Sequence, residues 1–174
     1  MSIREIITVP NEILKKISKP IEKVGEGEKK LIKDLFETMY SAKGIGLAAV
    51  QVGILKRVLV VDVASKEEEK KPICFINPLI KKISDEMSVY EEGCLSIPDT
   101  FIEIQRPKIC KVEYLDINGK IQTQEFDGLL STCIQHEINH LDGKLIIDHL
   151  SKLKKDIIIK KISKLKKNPD RIIV

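Results

Sequence analysis

The hexapeptide Gln135-His136-Glu137-Ile138-Asn139-His140 is the part of this 174-residue chain best suited to do chemistry. Histidines four apart lie one above the other on a helix, so both imidazoles can reach one divalent cation. The glutamate beside the first sits about 100° round the helix, within reach of a water on that cation. Imidazole suits zinc, iron, nickel or cobalt, and a carboxylate supplies the proton acceptor that hydrolysis needs. Two surface histidines that happen to flank a glutamate would spell the same six residues, so the motif needs a further ligand to carry weight.

A catalytic metal site takes three protein ligands and keeps one position open. The continuation HExxHxxGxxH is followed as far as Gly143 and then meets Ile146, which cannot coordinate. A glutamate on a following helix is the other common third ligand, and none occurs after Glu137. His149, the only later histidine, is expected at the surface or in support of the ligands. Cys133 shares the helix face of the two histidines, but three ligands along one straight helix would span about 10 Å, too far for one ion. It is better read as a small apolar residue in an adjoining pocket wall. Cys94 lies in Glu91-Glu92-Gly93-Cys94-Leu95-Ser96-Ile97-Pro98, where a glycine permits close backbone approach. From these residues alone, an ordinary turn with a buried thiol accounts for that segment equally well.

The elements that must position these residues follow from periodicity. Asn11 is placed to cap a short helix from Glu12 that Pro20 ends. Leu31, Ile32, Leu35, Phe36 and Met39 recur at helical spacing, predicting an amphipathic helix over 28–42 that Gly44-Ile45-Gly46 breaks. Segments 57–63, 73–83, 101–104, 109–116 and 121–126 are rich in Val, Ile, Tyr and Phe and read as strands, with a hairpin turn at Asp116-Ile117-Asn118-Gly119. Pro72, Pro78, Pro98 and Pro107 fall at or beside strand ends, where proline is tolerated. Residues 65–71 read as a solvated loop. Helical periodicity returns over 128–142 and again over 150–167, the last helix with Ser151 as its cap. The order gives an α+β fold, mixed but mostly antiparallel sheets around the His136–His140 helix, with a C-terminal helix.

Composition sets the remaining bounds. At 43% hydrophobic and 32% charged residues the chain is an ordinary globular protein, expected to form a single domain over 1–174. The first residues offer neither the apolar core nor the cleavage site of a signal peptide, and no apolar run is long enough to span a bilayer. A cytoplasmic location follows as the expectation, without membrane or DNA partners. Four cysteines without a CxxC pair are then reduced thiols, Cys74 and Cys110 as packing residues in strands. The net charge of +4 is uneven: residues 144–174 carry ten Lys/Arg against three Asp, so a basic helical extension from about residue 150 holds the positive charge.

Gly44-Ile45-Gly46-Leu47-Ala48-Ala49-Val50-Gln51, Glu92-Gly93-Cys94-Leu95-Ser96 and Gln135-His136-Glu137-Ile138-Asn139-His140 resemble, in order, the three motifs GφGφAAxQ, EGCφS and QHExDH (φ apolar) of the peptide deformylases. Those enzymes hydrolyse the N-formyl group from the starting methionine of new polypeptides, releasing formate. The resemblance implies that Cys94, His136 and His140 hold one divalent metal, typically Fe2+, for which Ni2+, Co2+ or Zn2+ may substitute. It implies Glu137 as general base and then acid, and the Gln51 amide with the Leu95 backbone N–H as stabilisers of the oxyanion. Gly46 and Gly93 would present backbone to an extended N-formylmethionyl peptide, and Ile45, Leu129 and Cys133 would line the methionine pocket. An iron–thiolate site of this kind is oxygen-sensitive through Cys94. One departure stands out: the family has Asp at the position of Asn139, where it pairs with an arginine, here Arg106. The basic C-terminal helix resembles that of the Gram-negative-like branch and suggests ribosome contact, reinforced by the attraction of lysines to a polyanion. A metallopeptidase, and a non-catalytic module binding RNA through the tail, are the competing readings. The missing ligand after His140 opposes the first, and the presence of Glu137 with all three ligands opposes the second.

Overall fold

The computed structural model describes residues 2–64 and 69–167. Its first long element is the helix α1, Glu26–Ser41, whose Leu31, Ile32, Leu35 and Met39 are buried along one face. Glu28 closes the helix start by accepting from the Gly25 N–H at 3.0 Å. The end differs from expectation. Lys43, not a glycine, takes the left-handed conformation (φ 57°), and the Gly44 N–H then donates back to the Met39 carbonyl at 2.9 Å.

Five strands form one antiparallel sheet in the order β1-β2-β3-β6-β7, where β1 is Gly46–Ala48, β2 Val58–Val61, β3 Ile73–Ile83, β6 Ile109–Leu115 and β7 Ile121–Asp127. Strands β4, Met87–Cys94, and β5, Ile97–Pro107, make a separate antiparallel ribbon. Two helices complete the chain, α2 over Gly128–Leu141 and α3 over Lys152–Lys167. The fold is therefore α+β, and parallel pairing among the described residues is limited to one isolated bridge, Lys19 with Lys56.

The large sheet is covered on both faces near its β1 edge. Side chains alternate along a strand, so Val58 and Val60 of β2 join Leu35, Met39 and Leu47 under α1, while Leu59 and Val61 join Phe75, Ile134 and Ile138 under α2. All four β2 residues are fully buried, which is why the sequence shows an unbroken apolar run there. A third apolar cluster, with Leu14, Ile97, Ile104, Ile146, Ile147 and Ile162, fastens the ribbon to the N-terminal segment and to α3. Ile146, which stands where a third histidine would follow Gly143, is a core residue.

Several local expectations are adjusted. Asn11 caps the short turn Glu12–Lys15 by accepting from the Ile13 N–H at 3.0 Å, and that turn is a single 3-10 turn. Strands β1 and β4 were not foreseen, and β5 is longer than 101–104. The inward positions of β4 include Ser88 and Glu92, so it lacks apolar alternation. Pro78 lies within β3, not at its end. It is accommodated by a register break between Ile76 and Leu79, where Asn77 turns left-handed (φ 52°) and exchanges side-chain hydrogen bonds with the Ile21 backbone at 2.8 and 2.7 Å. The hairpin stands as read, with Asp116 Oδ1 accepting from the Asn118 and Lys120 N–H groups. Of the expected loop 65–71, residues 65–68 lie outside the described residues, as do residues 168–174 of the basic extension.

Gly143 ends α2 in the left-handed region (φ 71°), and a β-carbon there would meet the Lys15 carbonyl oxygen at 2.3 Å. Strain and backbone collision act together, so Gly143→Ala is expected to destabilise the protein by about 2 kcal/mol or more. Urea denaturation of the two proteins checks this, and equal midpoints would refute it.

Candidate metal centre

The helix α2 begins after β7 and crosses the sheet face, so its inner side meets both the core and the ribbon. His136 and His140 are on that side, 8% and 1% exposed, with their Nε2 atoms 3.2 Å apart. The thiol comes from a different element. Cys94 is the last residue of β4, at an irregularity in the β4–β5 pairing, and its Sγ lies 3.3 Å from His140 Nε2. One donor atom from each of the three residues lies within 4.8 Å of the others.

Behind the three donor residues runs a buried polar chain. His136 Nδ1 lies 2.8 Å from Glu92 Oε2; a carboxylate only accepts, so Nδ1 carries the proton and Nε2 is left facing the donor cluster. Arg106 grips Glu92 at both oxygens, Nε to Oε1 at 2.5 Å and Nη2 to Oε2 at 2.9 Å. Its remaining arm, Nη1, donates to Asn139 Oδ1 at 2.7 Å. Arg106 was anticipated as the partner of Asn139. Glu92 was not anticipated as a support, although it lies in the motif with Cys94, because its link to His136 exists only once the ribbon folds against α2.

Burial and neighbouring charge set the proton affinities. Burial pushes the Glu137 carboxyl up to about 7, with the Glu92 charge acting in the same sense against His136 and Arg106. Its Oε2 is buried without a hydrogen-bond partner among the described residues. Burial, and then the charges of His136 and Arg106, hold His140 well below its usual value, so it is a neutral donor. At His136 burial is outweighed by hydrogen bonds to Cys94 and Glu92, which raise it to about 10; a cation in this cluster competes with that proton. Burial raises the Cys133 thiol well above its usual value, and its Sγ donates to the Ile45 carbonyl at 3.5 Å, away from any ligand role.

A cavity of about 480 Å³ opens in front of these groups. Ile45, Gly46, Gln51, Gly93, Cys94, Leu95, Leu129, Cys133, His136 and Glu137 all line it, so the structure gathers them at one place. His140 lies behind the wall, and His149 is exposed and outside the site. The short 3-10 turn Ala49–Val52 carries Gln51, whose Oε1 accepts from the Ala48 N–H at 2.8 Å. Its Nε2 donates to Ser96 Oγ at 3.1 Å and lies 3.8 Å from Cys94 Sγ. Gly46 passes so close to the helix that a β-carbon would meet Glu137 Oε1 at 2.5 Å and Cys133 Sγ at 2.8 Å. The cavity also takes in Lys43, Tyr90, Asp99, Thr100, Phe101 and Thr132, which the sequence did not single out.

Two imidazoles and a thiolate suit one divalent transition metal, and the unpaired carboxylate oxygen beside them suits a proton in transit. Metal-dependent hydrolysis is thus the class of chemistry that the fold and the site define.

Comparison with known proteins narrows the class. The profile of the family described as polypeptide deformylase matches residues 3–156, and the chain belongs to that family. It is an enzyme that removes the N-formyl group from the N-terminal methionine of new polypeptides. A peptide deformylase of Pelagibacter ubique is 58% identical over the full length of both chains. The crystal structure of an Ehrlichia chaffeensis peptide deformylase superposes with a TM-score of 0.92 at 42% identity, covering 97% of this chain and 99% of that one. A Met-Ala-Ser-bound class I type b peptide deformylase from Acinetobacter baumannii gives 0.81 at 32% identity, covering 86% and 99%.

Asn139 gives Arg106 a neutral acceptor where a carboxylate would add an opposite charge and make an ion pair. Asn139→Asp is expected to slow metal loss to a chelator several-fold, since partners behind the ligands typically tune affinity 10- to 100-fold. Metal release followed with a chromogenic chelator measures this, and identical off-rates would remove Asn139 from the account.

Proposed function

We propose that Cys94, His136 and His140 hold the metal of a formyl-peptide hydrolase in which Glu137 moves the protons. The buried Glu137 carboxylate, with one oxygen unpaired beside the three donors, carries this reading. The metal, when bound, would supply Lewis acidity and lower the proton affinity of water.

Glu137, raised to about 7, is matched to accept a proton from the attacking water near neutrality and return it to the departing α-amino nitrogen. Water adds to the formyl carbon, the C–N bond breaks, and formate and a free amine leave. Gln51 and Leu95 line the cavity, and the Gln51 Nε2–H and the Leu95 backbone N–H would stabilise the carbonyl oxygen as it gains charge. Gln51 is held for this by its bonds to Ala48 and Ser96. Ile45, Leu129 and Cys133 offer the methionine side chain an apolar lining, and Gly46 and Gly93 line the same cavity, where their backbone would meet an extended peptide. The Acinetobacter relative with Met-Ala-Ser bound supports a peptide in this cavity.

The donor set, one thiolate and two imidazoles, is compatible with Fe2+ as the resident ion and with nickel, cobalt or zinc in its place. Formate release from formyl-Met-Ala-Ser is expected from anaerobic iron enzyme and from nickel enzyme. Glu137→Ala is expected to abolish it, and Gln51→Ala to cut kcat by roughly 10²- to 10³-fold, the usual loss for one oxyanion donor. On exposure to air the iron form is expected to lose activity with oxidised Cys94 visible by mass spectrometry, while nickel enzyme keeps both. Full activity in Glu137→Ala would overturn the assignment of the base.

The same reading places the protein in the cytoplasm, as a single catalytic domain whose basic C-terminal helix touches the ribosome. Among the described residues no helix is long and apolar enough to cross a membrane. Ile162 of α3 is buried against the ribbon, and Ile158 and Ile159 are partly buried there, while Leu153 and Ile157 are exposed beside the lysines. Removing the whole helix would uncover this core, so charge reversal is the cleaner test. Lys160→Glu with Lys161→Glu and Lys164→Glu is expected to weaken ribosome co-sedimentation several-fold at low salt. Unchanged co-sedimentation would leave α3 a docked structural helix.

A further inference from the structure

Aromatic side chains are scarce in this protein, four Phe and three Tyr with no Trp. Six of the seven are buried or half-buried; Phe101 alone is exposed, at 67%. It is exposed at a particular place, as a wall residue of the catalytic cavity. Singly exposed apolar side chains are common on protein surfaces, so what counts here is that this ring is exposed into the cavity, where a bound ligand could cover it.

The backbone fixes where the ring sits relative to the reaction. Phe101 of β5 pairs directly with Gly93 of β4, the residue before Cys94. The ring lies over the Gly93 backbone, such that a β-carbon on Gly93 would meet Phe101 Cε1 at 2.9 Å and Cδ1 at 3.2 Å. Gly93 is therefore a seat for the ring, which cannot collapse onto a side chain opposite it. A strand advances about 3.3 Å per residue, and paired strands lie about 4.8 Å apart. A ring seated across from the residue before a metal ligand is thus about two or three residues along an extended peptide from its scissile formyl bond. Its near neighbours on the ribbon are charged: Glu91 and Glu103 face each other across the next pair on the same face, and Asp99 and Lys43 line the same cavity.

We infer that Phe101 is a specificity-determining residue that packs against the side chain of one of the two residues following formyl-methionine, favouring large apolar side chains there. This rests on the formyl-peptide reading above and adds a second apolar contact outside the methionine pocket. The contact is made to the bound peptide and stays the same through the reaction, so it acts on KM more than on kcat.

The test uses formyl-Met-Ala-Ala, formyl-Met-Phe-Ala and formyl-Met-Ala-Phe with the metal-loaded full-length enzyme. Wild type is expected to favour one of the two Phe peptides by about tenfold in kcat/KM, the low end of discrimination by one hydrophobic contact. Phe101→Thr, which keeps strand propensity, is expected to bring that ratio close to one through KM, and Phe101→Tyr to restore it. A ring that merely braces the ribbon would lower all three peptides in parallel, so an unchanged ratio in Phe101→Thr would overturn the inference. No Phe preference in wild type would overturn it as well. Absence of formate from every peptide with wild type would instead sink the hydrolase reading on which it stands.

Discussion

Arg106 is the interaction on which this structure turns. The candidate metal centre is assembled from two bodies that share no sheet: α2 lies on the five-stranded sheet and brings the imidazoles, while the β4–β5 ribbon brings the thiol. The guanidinium, 6% exposed, joins them by holding Glu92 of its own ribbon with two arms and Asn139 of the helix with the third. Glu92 in turn orients His136. A buried charge left alone is costly, so these groups are stable only together, and losing one partner typically costs about 3–5 kcal/mol. The polar chain selects the one docking of ribbon on helix that satisfies all its members, and that docking sets the 3.3 Å between Cys94 and His140.

This division of labour explains what could be read in advance. Apolar periodicity carried α1, α2, α3 and β3 into view, because each buries one face or a continuous run. Strand β4 has Ser88 and Glu92 pointing inward, and their burial is satisfied by a folded neighbour and not by apolar contact, so no hydrophobic pattern could announce it. Strand β1 is only three residues long, hidden in a motif whose glycines suggested a helix stop. The helical pair of histidines spoke for itself through spacing. Cys94 did not, since its distance to His140 spans 46 residues of chain and is created by the ribbon. Only likeness to a family of ordered motifs singled it out beforehand.

The site also shows how little room separates recognition from chemistry. Gly46 runs beside Glu137 with no space for a methyl group, and Cys133 bonds the Ile45 carbonyl just before it. The strand edge along which a peptide would lie is therefore in van der Waals contact with the residue assigned to proton transfer. Excluding side chains there also excludes water, and it is this dryness that lifts the Glu137 carboxyl to about 7. The geometry that binds and the electrostatics that react have a common origin in two small residues.

The doubly covered strand β2 has a consequence of its own. Only one layer of backbone separates α1 from α2, with Val58 and Val60 against one helix and Leu59 and Val61 against the other. Packed interiors are nearly incompressible, so a displacement on one side is handed on to the other. The far helix is itself anchored from outside, since Arg4 clamps the buried Asp34 of α1 through Nε and Nη2 at 3.1 and 2.8 Å. The N-terminal segment is thus fastened to the back of a wall one strand thick whose front carries α2.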